Sequence, residues 1–266
     1  MKNSLFNTRL QPAALLKMLL LVIILGLSWL WSPSRAIWDR VDIGVFSLLN
    51  HPMAGHLFLA KGWAVLNMRP IDLVSGLLLF SLLLRTNWTV KAEEVKTTLI
   101  GFVCLLLWML LLRIALVHIL STDFSWSRAS PSLTLPDAVR LSELFPDWRQ
   151  KYFMKDASPV SFPGDHTSVL LIWAMFVTRF TSGYKPCLAW GLAILLSLPR
   201  LTAGAHWFTD DLVGGLGIAM VAYASAMYTP LLSIYTHIAE ERLTPLLRLF
   251  KHLPFLKNMS FFQYLK

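Results

Sequence analysis

The clearest feature of the sequence is the apolar run TTLIGFVCLLLWMLLLRIALVHIL at residues 97–120. Crossing a bilayer as a helix takes roughly 20 mostly apolar residues, and this run is long enough. A segment within the bilayer must satisfy its own backbone hydrogen bonds, which favours an α-helix. The run therefore predicts a transmembrane helix in an integral membrane protein.

The composition agrees with a membrane protein. Of the 266 residues, 56% are hydrophobic and 15% are charged, and the mean hydropathy is +0.57. Soluble domains are usually about 45–50% apolar and about 25% charged. The net charge of +9 fits cytoplasmic loops that face anionic headgroups, and the sequence carries no nucleic-acid-binding signature. The cysteines, Cys104 and Cys187, both lie in apolar runs, which argues against a disulfide framework or a cysteine-based metal site.

Five further apolar runs predict membrane helices. They lie at about 13–31, 71–84, 166–180, 186–198 and 211–235. The first of them is interpreted as a retained anchor rather than a signal peptide, because no small-residue cleavage site follows it. The semi-polar segment 41–66 predicts an interfacial or partly buried helix. The expected fold is an all-α, polytopic membrane bundle with about six transmembrane helices, in a single domain over 1–266.

The distribution of Lys and Arg gives an orientation. With a cytoplasmic N-terminus, the inner segments carry 13 positive side chains and the outer segments carry ten. This arrangement places 121–166 and 199–210 on the same outer face of the membrane. The tail at about 240–266 mixes basic and apolar residues and predicts an amphipathic helix on the cytoplasmic surface.

One of these outer segments, PRLTAGAHWFTDD at 199–211, concentrates chemically reactive side chains. His206 and Asp210 are four residues apart and would share one face of a helix. The carboxylate could then accept a hydrogen bond from one imidazole nitrogen and leave the other nucleophilic. The guanidinium of Arg200 suits a phosphate group. The spacing alone leaves open a phosphate site or a polar cluster that caps a helix at the interface.

The other outer segment, 121–166, ends in KDASPVSFPGDH at 155–166. Asp165 could cap the next helix and His166 opens it, where free backbone N–H groups form an anion site. His166 could protonate a leaving oxygen there, or it could simply be a histidine exposed at a helix end. Upstream, Arg128 is either a second phosphate ligand or a solvated loop arginine.

Two of these motifs resemble signatures of the type 2 phosphatidic acid phosphatase superfamily. PRLTAGAHWFTD is similar to its third motif, Ser-Arg-x5-His-x3-Asp, and FPGDH to its second, Pro-Ser-Gly-His. SRASPSLTL, RLSELF and KDASPVSFPGDH resemble the branch that phosphorylates lipid A. The likeness covers about residues 120–215 in detail, and it implies an inner-membrane enzyme whose active site faces the periplasm.

The resemblance also implies roles for individual residues. His206 would be the nucleophile that becomes phosphohistidine, Asp210 would orient it, and His166 would be the general acid. The phosphate-binding positions would be Arg200, Arg128, Lys155 and Gly164.

Several positions depart from the superfamily pattern. Gly164 stands where a phosphate-binding serine is usual, Asp165 where glycine is usual, and Pro199 replaces the serine before the arginine. The first motif, Lys-x6-Arg-Pro, is degraded around Arg128, and Lys155 either supplies the missing charge or is a solvated loop lysine.

The expected activity is a phosphotransferase without metal or cofactor, with lipids as its substrates. The terminal phosphoryl group of undecaprenyl diphosphate would pass through a phosphohistidine to the 1-phosphate of lipid A, giving lipid A 1-diphosphate and undecaprenyl phosphate. One alternative is a phosphatase acting on undecaprenyl diphosphate or phosphatidylglycerophosphate. Another is a lipid transporter, which should place ionisable groups near the bilayer midplane, whereas here they gather at one interface.

Overall fold

The structure, a computed structural model, describes residues 5–250, with side chains described as far as residue 248. Within that range the chain forms helices and no strand, which confirms the all-α prediction. The α-helices are α1 (Pro12–Leu30), α2 (Ser32–Asn50), α3 (Leu57–Leu66), α4 (Arg69–Leu84), α5 (Val95–Thr122), α6 (Pro131–Thr134), α7 (Leu141–Leu144), α8 (Pro146–Lys151), α9 (Asp165–Phe180), α10 (Lys185–Thr202), α11 (Leu216–Met227) and α12 (Leu231–Phe250). Shorter turns are the 3₁₀ turns His51–Met53 and Ala92–Glu94 and the π-helical turn Asp210–Gly215.

Proline marks the start of several of the long helices. It stands in the first turn of α1, α2, α4 and α10, at Pro12, Pro33, Pro70 and Pro186. A proline there loses no hydrogen bond, because the first N–H groups of a helix have no partner within it, and its fixed φ suits the helix. These prolines therefore set where the helices begin.

Several of the helices are long and apolar enough to cross a membrane. In the part of the chain that the structure covers, Pro12–Leu30 and Ala92–Thr122 each qualify alone. Two bent pairs raise the number to as many as four: Ser32–Met53 with Leu57–Leu66, bent by 118°, and Asp210–Met227 with Leu231–Arg248, bent by 75°. Large side chains on α1 such as Leu21, Ile24 and Leu27 are more than half exposed, as expected of a surface that faces lipid.

Each of the six expected membrane segments contains helix, but the last one is interrupted. The expected helix over 211–235 was wrong as a continuous element, because α11 ends at Met227 and α12 starts at Leu231. Pro230 explains the break, since proline has no N–H to donate and disfavours helical geometry at the residue before it. Of the expected surface helix at about 240–266, the first residues belong to α12, and 251–266 lie outside the described residues.

Helix α9 forms the centre of the bundle. Every residue from 170 to 177 is buried, and Trp173 and Phe176 are among the largest fully buried side chains. Helix α11 faces the same core with Ala219, Ala222 and Ala226, and small residues of this kind let helices approach closely. The N-terminus of α9 lies beside the C-terminal part of α10, where His166 Nε2 donates to the Leu196 carbonyl at 3.2 Å.

Buried amides tie α2 and α3 to the end of α10. The Asn50 side chain donates to the Thr202 carbonyl at 2.9 Å, and the Asn67 side chain donates to the Pro199 carbonyl at 2.8 Å. The segment 41–66 is partly buried, as predicted, but it forms parts of two helices, α2 and α3, bent by 118° to each other, rather than one helix. These contacts fix the end of α10 that carries Arg200.

The chain turns sharply after α10 at Gly204, whose φ is +77°. A Cβ there would also lie 2.8 Å from the Phe46 ring and 3.0 Å from Ser132 Cβ. Only glycine adopts this positive φ and also leaves room for Phe46 and Ser132 without strain. The turn directs the next residues, including His206, back toward the N-terminus of α9.

Candidate active site

His206 lies in the loop between α10 and the π-helical turn, and its side chain is only 2% exposed. Its Nδ1 is 2.7 Å from the Ser161 carbonyl oxygen. A carbonyl can only accept, so Nδ1 carries the hydrogen and donates it. Its Nε2 lies 3.1 Å from Asp165 Oδ1. A neutral His206 held in this way keeps the lone pair of Nε2 for nucleophilic attack.

Asp165 begins α9 and links His206 to Lys155. Lys155 Nζ is 3.1 Å from Asp165 Oδ2. Burial opposes ionisation of Asp165, but the hydrogen bond with His206 and the charges of His206 and Lys155 hold its pKa well below the usual range. Burial likewise disfavours a charged His206, yet its hydrogen bond to Asp165 and the carboxylates of Asp211 and Asp165 raise its pKa above the ordinary value. The resting site therefore favours an ion pair between His206 and Asp165.

Arg200, at the end of α10, is buried beneath this pair. Its Nη1 donates to the backbone carbonyls of Asn67 and Lys155, each at 3.1 Å. Its Nη2 forms a short ion pair with Asp72 in the first turn of α4. The guanidinium is thus fixed in place by α4 and the loop that carries Lys155.

His166 stands next to Asp72, the carboxylate that pairs with Arg200. Its Nε2 donates to the Leu196 carbonyl at 3.2 Å, and its Nδ1 lies 3.9 Å from Asp72 Oδ1. Because a carbonyl cannot donate, Nδ1 is the nitrogen that remains for proton transfer. Four residues singled out in the sequence therefore meet in one network of contacts: His206, His166, Lys155 and Arg200.

The carboxylate of Asp210 does not have the partner that the sequence predicted, which was His206. Its Oδ2 accepts from the Trp207 backbone N–H at 2.8 Å, and its Oδ1 accepts from Arg128 at 2.8 Å. The carboxylate that contacts the His206 ring is Asp165 instead. The physical reason is that His206 precedes the π-helical turn, so the helical spacing that would place His206 and Asp210 on one face does not exist there. Asp210 closes the turn that carries His206.

Arg128 also makes contacts that the sequence did not predict. Its guanidinium pairs with Asp42 of α2 at 2.6 Å and with Asp210, and it donates to Thr209 at 2.8 Å. It lies over the Trp207 ring at 4.9 Å. Arg128 thus joins α2 to the turn after His206, and its side chain is 13% exposed.

The expected phosphate contact at Gly164 is likewise occupied by protein. The Gly164 N–H donates to the Asp210 carbonyl at 2.9 Å. This hydrogen bond fixes the start of α9 against the π-helical turn rather than leaving the Gly164 N–H free for a ligand.

Comparisons with known proteins identify the family of this chain. The sequence profile of the PAP2 superfamily matches residues 75–232, which include His166, Arg200, His206 and Asp210. The chain belongs to the PAP2 superfamily. It is also similar to the lipid A 1-diphosphate synthase of Escherichia coli (strain K12), with 31% identity over 211 residues, 78% of this chain and 84% of that protein. No solved structure matches the chain. The chain is therefore a helical membrane enzyme of a phosphatase and phosphotransferase superfamily.

Two carboxylates at this PAP2 site were missed in the sequence, one buried (Asp42) and one partly buried (Asp72). Asp42 and Asp72 hold Arg128 and Arg200 respectively. Both were visible as acidic residues close to apolar segments, where ionisable side chains are costly and usually functional.

A better match to the first superfamily motif was missed as well. Arg69 and Pro70 reproduce its final pair, with Lys61 eight residues before the arginine instead of seven. Arg69 Nη1 lies 3.6 Å from Asp72 Oδ2, beside Arg200. The Arg-Pro pair was therefore a stronger signal for this motif than Arg128, which no proline follows directly.

Gly164 and Asp211 explain the missing superfamily serine. A Cβ at Gly164 would lie only 2.1 Å from Asp211 Oδ1 and 3.1 Å from the Asp210 carbonyl. Asp211 is 5% exposed, and neither of its carboxylate oxygens has a hydrogen-bond partner among the described residues. The Asp211 side chain thus fills the space that a serine at 164 would need.

We therefore expect Gly164→Ser to impair the enzyme, although it restores the superfamily residue. The new side chain must displace a buried carboxyl group, and such overpacking costs about 1–3 kcal/mol. Thermal unfolding in detergent should show a lower midpoint, and phosphoryl transfer should fall. Gly191→Ser is the control, because a Cβ at Gly191 has no atom within 4 Å. A Gly164→Ser protein as stable as wild type and more active would contradict this account.

Proposed function

We propose that this enzyme transfers the terminal phosphoryl group of undecaprenyl diphosphate to the 1-phosphate of lipid A, at the periplasmic face of an inner membrane. The observation that carries the proposal is the geometry of His206, whose Nδ1–H is held by the Ser161 carbonyl while Nε2 faces Asp165 and, beyond it, Lys155. The similarity to a lipid A 1-diphosphate synthase supports this choice of substrates.

The first step forms a phosphohistidine. The Nε2 lone pair of His206 attacks the terminal phosphorus, and the bond from this phosphorus to the bridging oxygen breaks. The electron pair leaves with undecaprenyl phosphate. His166, protonated on both ring nitrogens, donates the Nδ1 proton to the departing oxygen and recovers a proton from the acceptor phosphate in the second step. Lys155 and Arg200 stabilise the charge on the transferred group.

The second step regenerates the enzyme. An oxygen of the lipid A 1-phosphate attacks the phosphorus on His206, the N–P bond breaks, and lipid A 1-diphosphate leaves. The two arginines have different tasks in this proposal. Arg200 stands beside the reacting groups, whereas Arg128 and Asp210 hold the turn that positions His206.

The acceptor headgroup has room beside this centre. A cavity of about 290 Å³ is lined by Arg69, Arg149 and Lys155 among others, and Lys155 contacts Asp165. The three cationic side chains outnumber the one acidic residue in the lining, Asp156, and suit a phosphate-bearing lipid headgroup. We place the acceptor there, with its 1-phosphate directed toward His206.

An assay with undecaprenyl diphosphate that carries ³²P in its terminal phosphate distinguishes transfer from hydrolysis. The label is followed into lipid A or into free phosphate. We expect little free phosphate without acceptor and rapid formation of labelled lipid A 1-diphosphate once lipid A is added. Lipid A that lacks the 1-phosphate is the matched control and should not accelerate donor consumption. Rapid release of free phosphate that lipid A leaves unchanged would instead identify a phosphatase.

The same assay tests the proposal that no metal takes part. Basic side chains supply the positive charge around the phosphoryl group in this mechanism, so EDTA should leave the rate unchanged. Loss of activity on chelation, restored by Mg²⁺, would contradict a mechanism based on arginine and lysine.

A further inference from the structure

Asp165 holds a position at the nucleophile that the superfamily pattern gives to glycine. Its Oδ1 is 3.1 Å from His206 Nε2 and also accepts from the His166 backbone N–H at 2.8 Å. Its Oδ2 is 3.1 Å from Lys155 Nζ. The side chain is 32% exposed, whereas that of His206 is 2% exposed, so a ligand entering from the outer face meets Asp165 first.

These contacts are those that a phosphate oxygen would make. The Asp165 carboxylate lies at a helix N-terminus, accepts from an imidazole and pairs with an ammonium group, which are the usual partners of a bound phosphate. The phosphorus of the donor must come within bonding distance of Nε2, and Asp165 Oδ1 occupies the approach to that atom. Donor phosphate and the Asp165 carboxylate therefore compete for one place.

We propose that Asp165 is a positioning residue that occupies the phosphoryl site at His206 Nε2 in the resting enzyme and is displaced by the terminal phosphate of the donor. The inference rests on the proposed function and adds to it a step before chemistry. While Asp165 is in place, His206 is held as a cation that cannot attack phosphorus. The exchange of carboxylate for phosphate then controls when the nucleophile becomes available.

The proton on Nε2 must be accounted for in this step. In the resting pair both ring nitrogens carry hydrogen, Nδ1–H donating to Ser161 and Nε2–H donating to Asp165. The proton leaves Nε2 for water before attack, and the Nε2 lone pair then forms the bond to phosphorus as the bond to the bridging oxygen breaks. Nδ1 keeps its hydrogen throughout.

The charged groups that face His206 come from three parts of the chain. Asp165 belongs to α9, Lys155 to the outer loop and Asp211 to the π-helical turn. The two carboxylates favour the protonated ring and the ammonium group of Lys155 opposes it. The pKa of His206 is consequently raised, so kcat/KM should increase with pH through that raised value and be lost as the pH falls below it.

Asp165→Asn keeps the shape of the side chain and removes its charge. We expect the acid limb of the pH profile of kcat/KM to move to lower pH by about one unit or more, because an adjacent opposite charge shifts a pKa by that much. On the alkaline plateau, where His206 is neutral in both proteins, KM for undecaprenyl diphosphate should fall by about tenfold, because an amide competes with the donor phosphate for the Lys155 ammonium group less strongly than a carboxylate does.

Two further variants test whether the changes in the acid limb and in KM are specific to Asp165. Lys155→Met should move the acid limb in the opposite direction, to higher pH, because it removes the cation that opposes protonation of His206. Asp147→Asn removes an exposed carboxylate from the same outer loop, on α8, and should leave both the acid limb and KM unchanged.

The outcomes separate this inference from the proposed function. An Asp165→Asn enzyme that is folded and active but has the acid limb or the KM of wild type would overturn the inference and leave the transferase proposal standing. The inference would also be overturned, with the transferase proposal intact, if Lys155→Met and Asp165→Asn shifted the acid limb in the same direction. A wild-type enzyme that transfers no phosphoryl group from undecaprenyl diphosphate would instead refute the proposed function.

Discussion

Replacing His206 with alanine should reduce phosphoryl transfer by at least about 10⁴-fold, because the proposed mechanism then lacks its nucleophile and its covalent intermediate. The effect should fall on kcat, since the cationic groups that bind the donor stay in place. Lys155 and Arg200 are held by contacts to Asp165, Asp72 and backbone carbonyls that do not involve the His206 ring.

Thermal unfolding must accompany this assay, because the His206 ring is buried and donates to Ser161. His237→Ala is the matched control. His237 is an exposed histidine on α12 that pairs with Glu241 at 3.3 Å, and its loss should leave transfer unchanged. A folded His206→Ala protein with activity near that of wild type would rule out phosphohistidine chemistry at this position.

The second large effect concerns stability. Arg128→Met should destabilise the protein by about 3–5 kcal/mol, because it leaves two buried carboxylates without their cation. Those carboxylates, Asp42 and Asp210, have side chains that are 1% and 0% exposed. Neutralising one of them should recover part of the loss, so the double variant Arg128→Met/Asp42→Asn is expected to unfold at a higher temperature than Arg128→Met alone.

This experiment separates the two roles considered for Arg128. Arg40→Met is the control, because Arg40 is an exposed arginine on the same helix as Asp42, and its replacement should leave the unfolding midpoint unchanged. An Arg128→Met protein that is as stable as wild type but inactive would show that Arg128 binds phosphate directly. Loss of stability with partial rescue by Asp42→Asn would show that it holds the fold around His206.

Much of the architecture could be predicted because the membrane imposes a simple rule on each segment. Runs such as 97–120 must form helices wherever they lie in the bundle, and α5 covers that run entirely. The break between α11 and α12 was missed because hydropathy does not register that Pro230 lacks an N–H. The boundary between α11 and α12 depends on a backbone hydrogen bond that proline cannot make, and a search for apolar runs does not consider such bonds.

The site was predictable as a set of residues but not as a set of contacts. His206, His166, Lys155 and Arg200 do form one network, as their motifs suggested. Pairing of His206 with Asp210 was inferred from helical spacing, and the chain around His206 is a loop followed by a π-helical turn. Which carboxylate faces an imidazole depends on such backbone geometry, and the partner proved to be Asp165.

The coupling of Gly164 to Asp211 shows a further limit of motif comparison. Read alone, Gly164 is a serine replaced by a smaller residue. The reason for the replacement lies far along the chain, where Asp211 occupies the space of the missing side chain. A motif of consecutive residues cannot reveal a neighbour that only the fold brings into contact.

The most direct test of the account is a pulse and chase of the intermediate. The purified enzyme is exposed briefly to donor labelled in its terminal phosphate, and the labelled peptide is identified by mass spectrometry. The account predicts a phosphoryl group on His206 that is stable in base, labile in acid and transferred to lipid A on addition of the acceptor. Label that reaches lipid A without passing through His206, or that is discharged only to water, would contradict it.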